Sequence, residues 1–521
     1  MHFLTAICTI MLKFRQKSFM LAEIMSSRVP WKRFFFWAFA GSLVFHLLAA
    51  WFSIGYLYLD EQCQIMEFAG YKLGFIPGKW LPWEFNSQIR QAIQPFIVVM
   101  LYKALDFFHI ANPFLCSLIL RILSSILGWF SIMLLTKELS KLIASEFWKR
   151  FMVLLASFIW FIPYTQSHFS SESLSGSLFF ISVALVMASK QKDYLTKKSI
   201  FSLLIAGLCA GLAFVIRNQT IFFIGGLGLW CIIIGKYSFK KISLLTIPAI
   251  LMIGLGFLID HWFYGKWVFT AYNYYHVNIA LDKVSSFGVT PFYYYFYIYY
   301  LNLFPPFSVF FMGVIIYAWF RYYKHVLTWV CVPFFIAHCL IGHKEVRFFF
   351  PMVDALPILL VLPFQAMKLN IYKKWFYNVP IKIFWVMNLL LLTYFCFKPA
   401  NTAFGLYNYL YDFSKTNGQT LLIINGHDPY DVGGNSINFH KAKNIGIKTS
   451  PSIDEILKQT DNETSKNILA IIDNTVRADS FEKKYPQYQL NYKSLPESFN
   501  NFSWTRNSMN KVWYVYQIKP K

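Results

Sequence analysis

The sequence predicts an all-α polytopic membrane protein with about eleven transmembrane helices and a small C-terminal α/β soluble domain. Three observations carry that expectation. Hydrophobic residues make up 57% of the 521-residue chain and charged residues only 14%, where soluble domains carry about 25% charged. Apolar runs long enough to cross a bilayer recur along the first 400 positions. From about Asn401 onward the composition turns polar.

The spans are expected at roughly 34–58, 113–136, 151–169, 174–190, 200–217, 219–235, 243–262, 295–320, 326–342, 350–366 and 382–399. A further apolar segment, 94–111, carries Lys103, Asp106 and His109 and reads as an interfacial or re-entrant helix. The apolar start, Met1–Leu12, ends at Lys13 and Arg15. It reads as an interfacial or disordered lead-in rather than a cleaved signal, and Met20 and Met25 are alternative starts.

The net charge of +23 has a distribution that argues against nucleic-acid binding. Lys and Arg sit in short clusters between apolar runs. With the N-terminus in the cytoplasm and 94–111 not spanning, the clusters Lys32–Arg33, Lys137–Arg150, Lys190–Lys198, Lys236–Lys241, Arg321–Lys324 and Lys368–Lys382 all fall inside. That is the positive-inside pattern. The expected organisation is a cytoplasmic lead (1–33), a transmembrane catalytic domain (34–400) with a first outside loop at 59–112, and a soluble domain (401–521) on the outside.

Within the tail, Thr420–Asn425 and Asn467–Asp473 read as buried strands, and Ser452–Gln459 as a helix with Ser452 as its cap. The tail carries no catalytic pattern. The eight cysteines form neither a disulfide framework nor a CxxC metal site. No P-loop and no GxGxxG after a strand is present, so a transferase built from these parts draws its sugar from a lipid carrier, not a nucleotide.

Chemistry-bearing residues gather on the predicted outside face. Asp60-Glu61 stands where the first helix leaves the membrane, and the same loop continues with Gln64, Glu67, Trp83, Glu84 and Arg90. A lone Asp-Glu is most simply a solvated helix end. A partly desolvated carboxylate among these neighbours can instead serve as a general base. His343-Lys344-Glu345-Val346-Arg347 crowds three cationic or potentially cationic donors into one short turn. An interfacial anchor accounts for Lys344 and Arg347 but leaves His343 and Glu345 unexplained; a phosphate suits the three donors, with Lys as a point charge, Arg as a fork and His as a hydrogen-bond donor. The polar aromatic stretch Asp260–Gly265, with Tyr264, Asn273, Asn278, Ser285, Ser286, Gly288 and Tyr295, reads equally as an aromatic belt or as a sugar-binding surface. Ser170-Ser171-Glu172 and Arg217-Asn218-Gln219 are helix ends that read as caps or pocket walls.

These segments together resemble the membrane-embedded mannosyltransferases of glycosyltransferase family 22, in the GT-C superfamily, and most of all the branch that adds the third mannose of the glycosylphosphatidylinositol (GPI) anchor. The resemblance covers roughly residues 34 to 366. It rests on Asp60, Glu61, Gln64 and Glu67, on Trp83, Glu84, Phe85, Ile89 and Arg90, on the HKE-x-RF string His343, Lys344, Glu345, Arg347 and Phe348, and on the stretch from Asp260 to Tyr295. Leu59 stands where the family often has Pro, and the tail has no counterpart.

The resemblance implies a GT-C fold and inverting transfer of a hexose, mannose foremost, from a polyprenyl- or dolichyl-phosphate sugar to a glycolipid or glycan acceptor. It implies Asp60 as general base, with Glu61 sharing or supporting that role. His343, Lys344 and Arg347 would neutralise the leaving phosphate, with Glu345 orienting them. Gln64, Glu67, Trp83, Glu84, Arg90, Tyr264, Asn273 and Asn278 would contact acceptor or sugar. No cofactor is implied beyond the lipid donor, and no metal ligands are read. The location is the endoplasmic reticulum membrane or a bacterial inner membrane. The alternatives are transfer of another lipid-linked sugar, and a polytopic transporter.

Overall fold

The computed structural model describes residues 29–190, 195–302, 307–365, 375–424, 428–449, 467–473, 478–486, 488–494 and 511–518. Residues 1–28 of the expected N-terminal lead, and the Ser452–Gln459 helix expected from sequence, lie outside the described residues; the lead's last residues, Trp31 to Arg33, open the first helix, Trp31–Phe52. Seven of the described helices are long and apolar enough to cross a membrane, or eight if Phe307–Arg321 and Val326–Leu340, bent by 118°, form one span. The chain is an integral, multi-pass membrane protein.

The count falls below eleven because several expected spans are broken. The 151–169 run divides into helices Glu146–Phe158 and Phe161–Gln166, where Ile159 turns extended. The 219–235 run gives a helix of only 13 residues, Ile221–Ile233. The 295–320 run divides into Tyr294–Asn302 and Phe307–Arg321. The segment at 94–111 forms a 15-residue helix, Ile93–Phe107, followed by His109 in the left-handed region; a span needs about 20 residues.

The chain separates into two compact units. One comprises Met1–Ala49, Leu123–Gly256 and His276–Phe397; the other comprises Ala50–Ile122, Phe257–Tyr275 and Lys398–Lys521.

In the first unit, helix packing follows the membrane rule that small residues let backbones approach. Gly207 and Gly211, four apart on the helix Lys197–Ile216, face the backbone of Leu245 and Ala249 so closely that a Cβ has no room at either. The helix Ser171–Ser189 begins at Ser170, whose hydroxyl accepts from the Ser173 amide at 3.1 Å. Gly176, one turn on, lies against Pro351: a Cβ there would stand 2.5 Å from the Pro351 Cα. Pro351 sits in the middle of a ten-residue 3₁₀ helix, Val346–Ala355, which continues as the α-helix Leu356–Val361. Such long 3₁₀ runs are uncommon, because the hydrogen-bond geometry is poor.

A buried polar chain fixes the far end of this 3₁₀ segment. The Gln166 amide donates to Asp354 Oδ1. The Ser131 hydroxyl lies 2.5 Å from Asp354 Oδ2 and 2.9 Å from the Ser177 carbonyl. His46 Nε2 meets Gln166 Oε1 at 3.0 Å, and His46 Nδ1 meets the Ser42 carbonyl at 2.8 Å. Every member is buried, so each needs the others to replace water.

The second unit contains a five-stranded mixed sheet. Its strands are β1 (Thr420–Ile424), β4 (Ile445–Thr449), β5 (Asn467–Asp473), β6 (Tyr488–Lys493) and β7 (Trp513–Ile518), in spatial order β4-β1-β5-β7-β6. The short strands β2 (Asp431–Val432) and β3 (Asn435–Ser436) form a separate hairpin. β4 and β5 pair with β1 in parallel, while β7 pairs antiparallel with β5 and β6. Both strands expected from sequence are present. Their side chains alternate between two cores: Leu422, Ile424, Leu469 and Ile471 pack beneath the helix Ala403–Asn417, and Ile423, Ala470 and Ile472 pack with Phe481 and Tyr485. A sheet covered on both faces explains the near-continuous apolar runs of β1 and β5.

Substituting Gly176→Ala is expected to lower stability by about 1–3 kcal/mol through overpacking against Pro351. Gly225→Ala, where an added Cβ meets nothing, is expected to be neutral or stabilising by up to about 1 kcal/mol. Thermal unfolding in detergent checks both.

Candidate functional site

The sequence-singled residues fall into two clusters, one in each unit. In the second unit the chain turns at Gly55, whose φ of +93° and tight contact with Asn401 demand glycine. Asp60 follows and opens a π-helix, Glu61–Met66, a geometry frequent at functional sites. The side chains of Asp60, Gln64, Glu84 and Arg90 come together. Arg90 Nη2 lies 3.9 Å from Asp60 Oδ2 and 3.6 Å from Glu84 Oε1, and the Gln64 amide donates to Glu84 Oε1 at 3.1 Å. Trp83 precedes Glu84 on the same short helix, Trp83–Ser87, and is half-buried. The Asp60 side chain is 35% exposed, so its ion pair with Arg90 is loose and solvent-screened. Glu61 Oε1 accepts from the Tyr58 amide at 3.3 Å.

Tyr264 and Asn273 act on backbone here. The Tyr264 hydroxyl donates to the Arg90 carbonyl at 2.7 Å, and the Asn273 amide donates to the carbonyl of Gln88, a residue held at φ +53°. Asp260, singled out in sequence only as the start of the polar aromatic stretch, anchors the same segment. Its carboxylate accepts from the Ala92 amide and the Thr270 hydroxyl, both at 2.7 Å. Three side chains therefore fix the backbone that carries Arg90, and the Arg90 guanidinium lies over the Tyr274 ring.

Glu67, expected at the sugar, is buried at 2% exposure. Its Oε1 accepts from the Gln62 amide at 2.7 Å and from the backbone amides of Asn438 at 3.0 Å and Phe439 at 3.2 Å. Among the described residues no hydrogen bond reaches Oε2. Burial raises this carboxyl to about 7, against the opposing pull of the three donors.

The second cluster lies in the first unit. Arg347 pairs with Glu345: Nη2 donates to Oε1 at 2.9 Å, and Nε stands 2.8 Å from Oε2 as an ion-pair contact off the hydrogen-bond direction. His343 Nε2 approaches Glu345 Oε1 at 3.2 Å. On the other side, Glu172 Oε1 stands 3.8 Å from Arg347 Nε and 2.8 Å from Arg217 Nη1. Both guanidinium groups lie within 6 Å of the Phe348 ring centre. The result is an alternating row, His343, Glu345, Arg347, Glu172 and Arg217, in which the last three are buried. Sequence reasoning noted Glu172 and Arg217 only as helix ends; their chain separation from Arg347 hides the pairing.

Lys344, expected at the leaving phosphate, is engaged with backbone here. Its ammonium donates to the carbonyls of Ile341 at 2.6 Å and Thr290 at 2.9 Å. It thus closes the turn after the helix Val326–Leu340, and burial lowers its pKa. Asn278 is buried in the short π-helix His276–Ala280 of this unit. Among the described residues no group of three His, Cys, Asp or Glu side chains could hold a metal ion.

The fold is that of the GT-C membrane glycosyltransferases. ArnT from Cupriavidus metallidurans, solved bound to undecaprenyl phosphate, superposes with a TM-score of 0.54 at 9% identity, over 94% of this chain and 98% of that one. The chain belongs to the Alg9-like mannosyltransferase family, whose model matches residues 37–435. It is 26% identical over 377 residues to GPI mannosyltransferase 3 of Gibberella zeae, covering 62% of this chain and 59% of that protein. To GPI alpha-1,2-mannosyltransferase 3 of Bos taurus it is 24% identical over 346 residues, covering 64% and 59%. The chain thus spans about three fifths of the length of these relatives.

The Glu67 carboxyl gives a pH dependence with a definite sign. Its folded value, about 7, lies above the ordinary 4.5. Its stabilising contribution is therefore full below about pH 4.5 and declines as pH rises toward 7. Glu67→Gln keeps an acceptor for the three donors and cannot ionise. Its melting temperature is expected to fall less than that of the wild type between pH 4.5 and 7, as measured by thermal unfolding across that range.

Proposed function

We propose that the chain transfers a hexose, mannose, from a polyprenyl- or dolichyl-phosphate sugar to a glycolipid or glycan acceptor, with inversion. The reaction takes place at the non-cytoplasmic face of the endoplasmic reticulum membrane or a bacterial inner membrane. The observation that carries this reading is the Arg347–Glu345 ion pair, backed by Glu172 and Arg217, within a family of mannosyltransferases. A carboxylate and a phosphate present the same pair of oxygens to a guanidinium. Glu345, with a side chain 27% exposed, is the partner that yields to an arriving phosphate. Glu172 and Arg217 hold the guanidinium in place from the buried side.

In this mechanism Asp60 takes the proton from an acceptor hydroxyl. The hydroxyl oxygen forms a bond to the anomeric carbon as the bond from that carbon to the phosphate oxygen breaks. The phosphate leaves with the electron pair, and Arg347, Arg217 and His343 stabilise its charge. Arg90 stands beside Asp60 at 3.9 Å. Lys344 shapes the turn that presents His343 and Arg347. Family membership and the absence of a transport-type repeat in the sequence speak against the transporter reading.

The test is transfer of labelled mannose from polyprenyl-phosphate mannose by membranes containing the protein. Asp60→Asn is expected to abolish transfer at unchanged protein level. Arg347→Ala is expected to reduce it about a hundredfold or more, roughly 3 kcal/mol. A wild type that transfers aminoarabinose or glucose but not mannose identifies another sugar, and one that uses no lipid-phosphate sugar with any acceptor overturns the proposal.

A further inference from the structure

The second unit contains a cavity that the proposed chemistry does not use. It has a volume of about 330 Å³, at the lower end of small-molecule sites. Its position follows from topology. The chain leaves β1 toward β4 on one side and later returns to β5 on the other side of β1. In an open α/β sheet the crevice beyond the carboxyl ends of the strands, where the order reverses, is where ligands bind. The cavity lies there, lined by Asp428 and Pro429 soon after the end of β1, and by Trp513 at the start of β7.

The lining chemistry narrows the ligand. Lys511 is the one ammonium among the lining residues, and it pairs with buried Asp473 at 2.5 Å. Asp428 and Asp431 each accept one backbone amide through Oδ1, from Tyr430 at 2.8 Å and Gly434 at 2.9 Å. Among the described residues no hydrogen bond engages the second oxygen of either. Lys441, outside the lining, faces Asp428, and Lys511 is paired with Asp473, so the lining itself presents carboxylate oxygens and no uncommitted cation to a phosphate or carboxylate. The remaining wall combines apolar surface, Val432 and Trp513, with the Tyr56 hydroxyl, which makes no hydrogen bond among the described residues, and the Asn401 side chain, whose Oδ1 accepts from the Ala403 amide at 2.9 Å. Apolar faces beside mixed donors and acceptors match a pyranose, whose hydroxyls both donate and accept. Gly433 and Gly434, at φ +62° and +80°, turn the β2–β3 hairpin with no side chain at this rim.

We propose that this cavity, lined by none of the groups assigned to transfer, is a saccharide-binding subsite for an uncharged sugar unit. The inference stands on the cavity and does not require the transferase reading.

Isothermal titration of the full chain in nanodiscs tests it, with methyl α-mannoside, α-linked mannobiose, mannose 6-phosphate and a lysine-rich peptide as ligands. Saturable binding of a neutral sugar is expected. Mannose 6-phosphate is expected to bind at least tenfold more weakly, and the double variant Asp428→Asn/Asp431→Asn to lose at least tenfold in affinity for the neutral sugar. Val432→Trp, which fills the cavity, is expected to abolish binding. A neutral-sugar affinity unchanged in both variants assigns the sugar to the transfer site and overturns the proposal. Preferential binding of the phosphorylated sugar or of the peptide, or no saturable binding at all, does so equally.

Discussion

The close seating of the Ser171–Ser189 helix on the 3₁₀ segment Val346–Ala355 is the contact on which the candidate phosphate site depends. The two run side by side in matched order: Glu172 meets Arg347, Gly176 meets Pro351, and the Ser177 carbonyl and Asp354 share Ser131. A bulkier residue than glycine would part the backbones and with them the ion pair. Pro351 brings no amide hydrogen of its own to this face, so nothing polar is stranded where the backbones touch. The Asp354 chain then holds the inner end by satisfied hydrogen bonds, where bilayer water is scarce.

Much of the fold was legible because its causes are local. A run of apolar residues must be helical in lipid, and β1 and β5 announced themselves by continuous apolar character. The break after Phe158, the bend of 118° and the long 3₁₀ run were not legible. Each reflects what neighbouring helices impose, and hydropathy does not record neighbours.

For the site the division is similar. Asp60, Gln64, Glu84 and Arg90 come together as their shared loop implied. Glu67, Tyr264, Asn273 and Lys344 belong to the same strings but serve backbone, which composition cannot reveal. Lys344 shows why: a cation near a helix C-terminus finds carbonyls at hand, and in sequence that cation looks the same as one awaiting phosphate. Glu172 and Arg217 were undervalued for the opposite reason, since their partner lies far along the chain.

The π-helix at Glu61–Met66 has a consequence for how this loop can change. A π-turn closes its hydrogen bond over one residue more than an α-turn, so each residue in it advances the chain by less than the α-helical turn does. Loss of a single residue there would restore α winding with the flanking turns still in register, and would re-aim the side chains inside the turn, Gln64 with its hydrogen bond to Glu84 foremost. The number of residues in this turn, and not their identity alone, sets where its polar groups point.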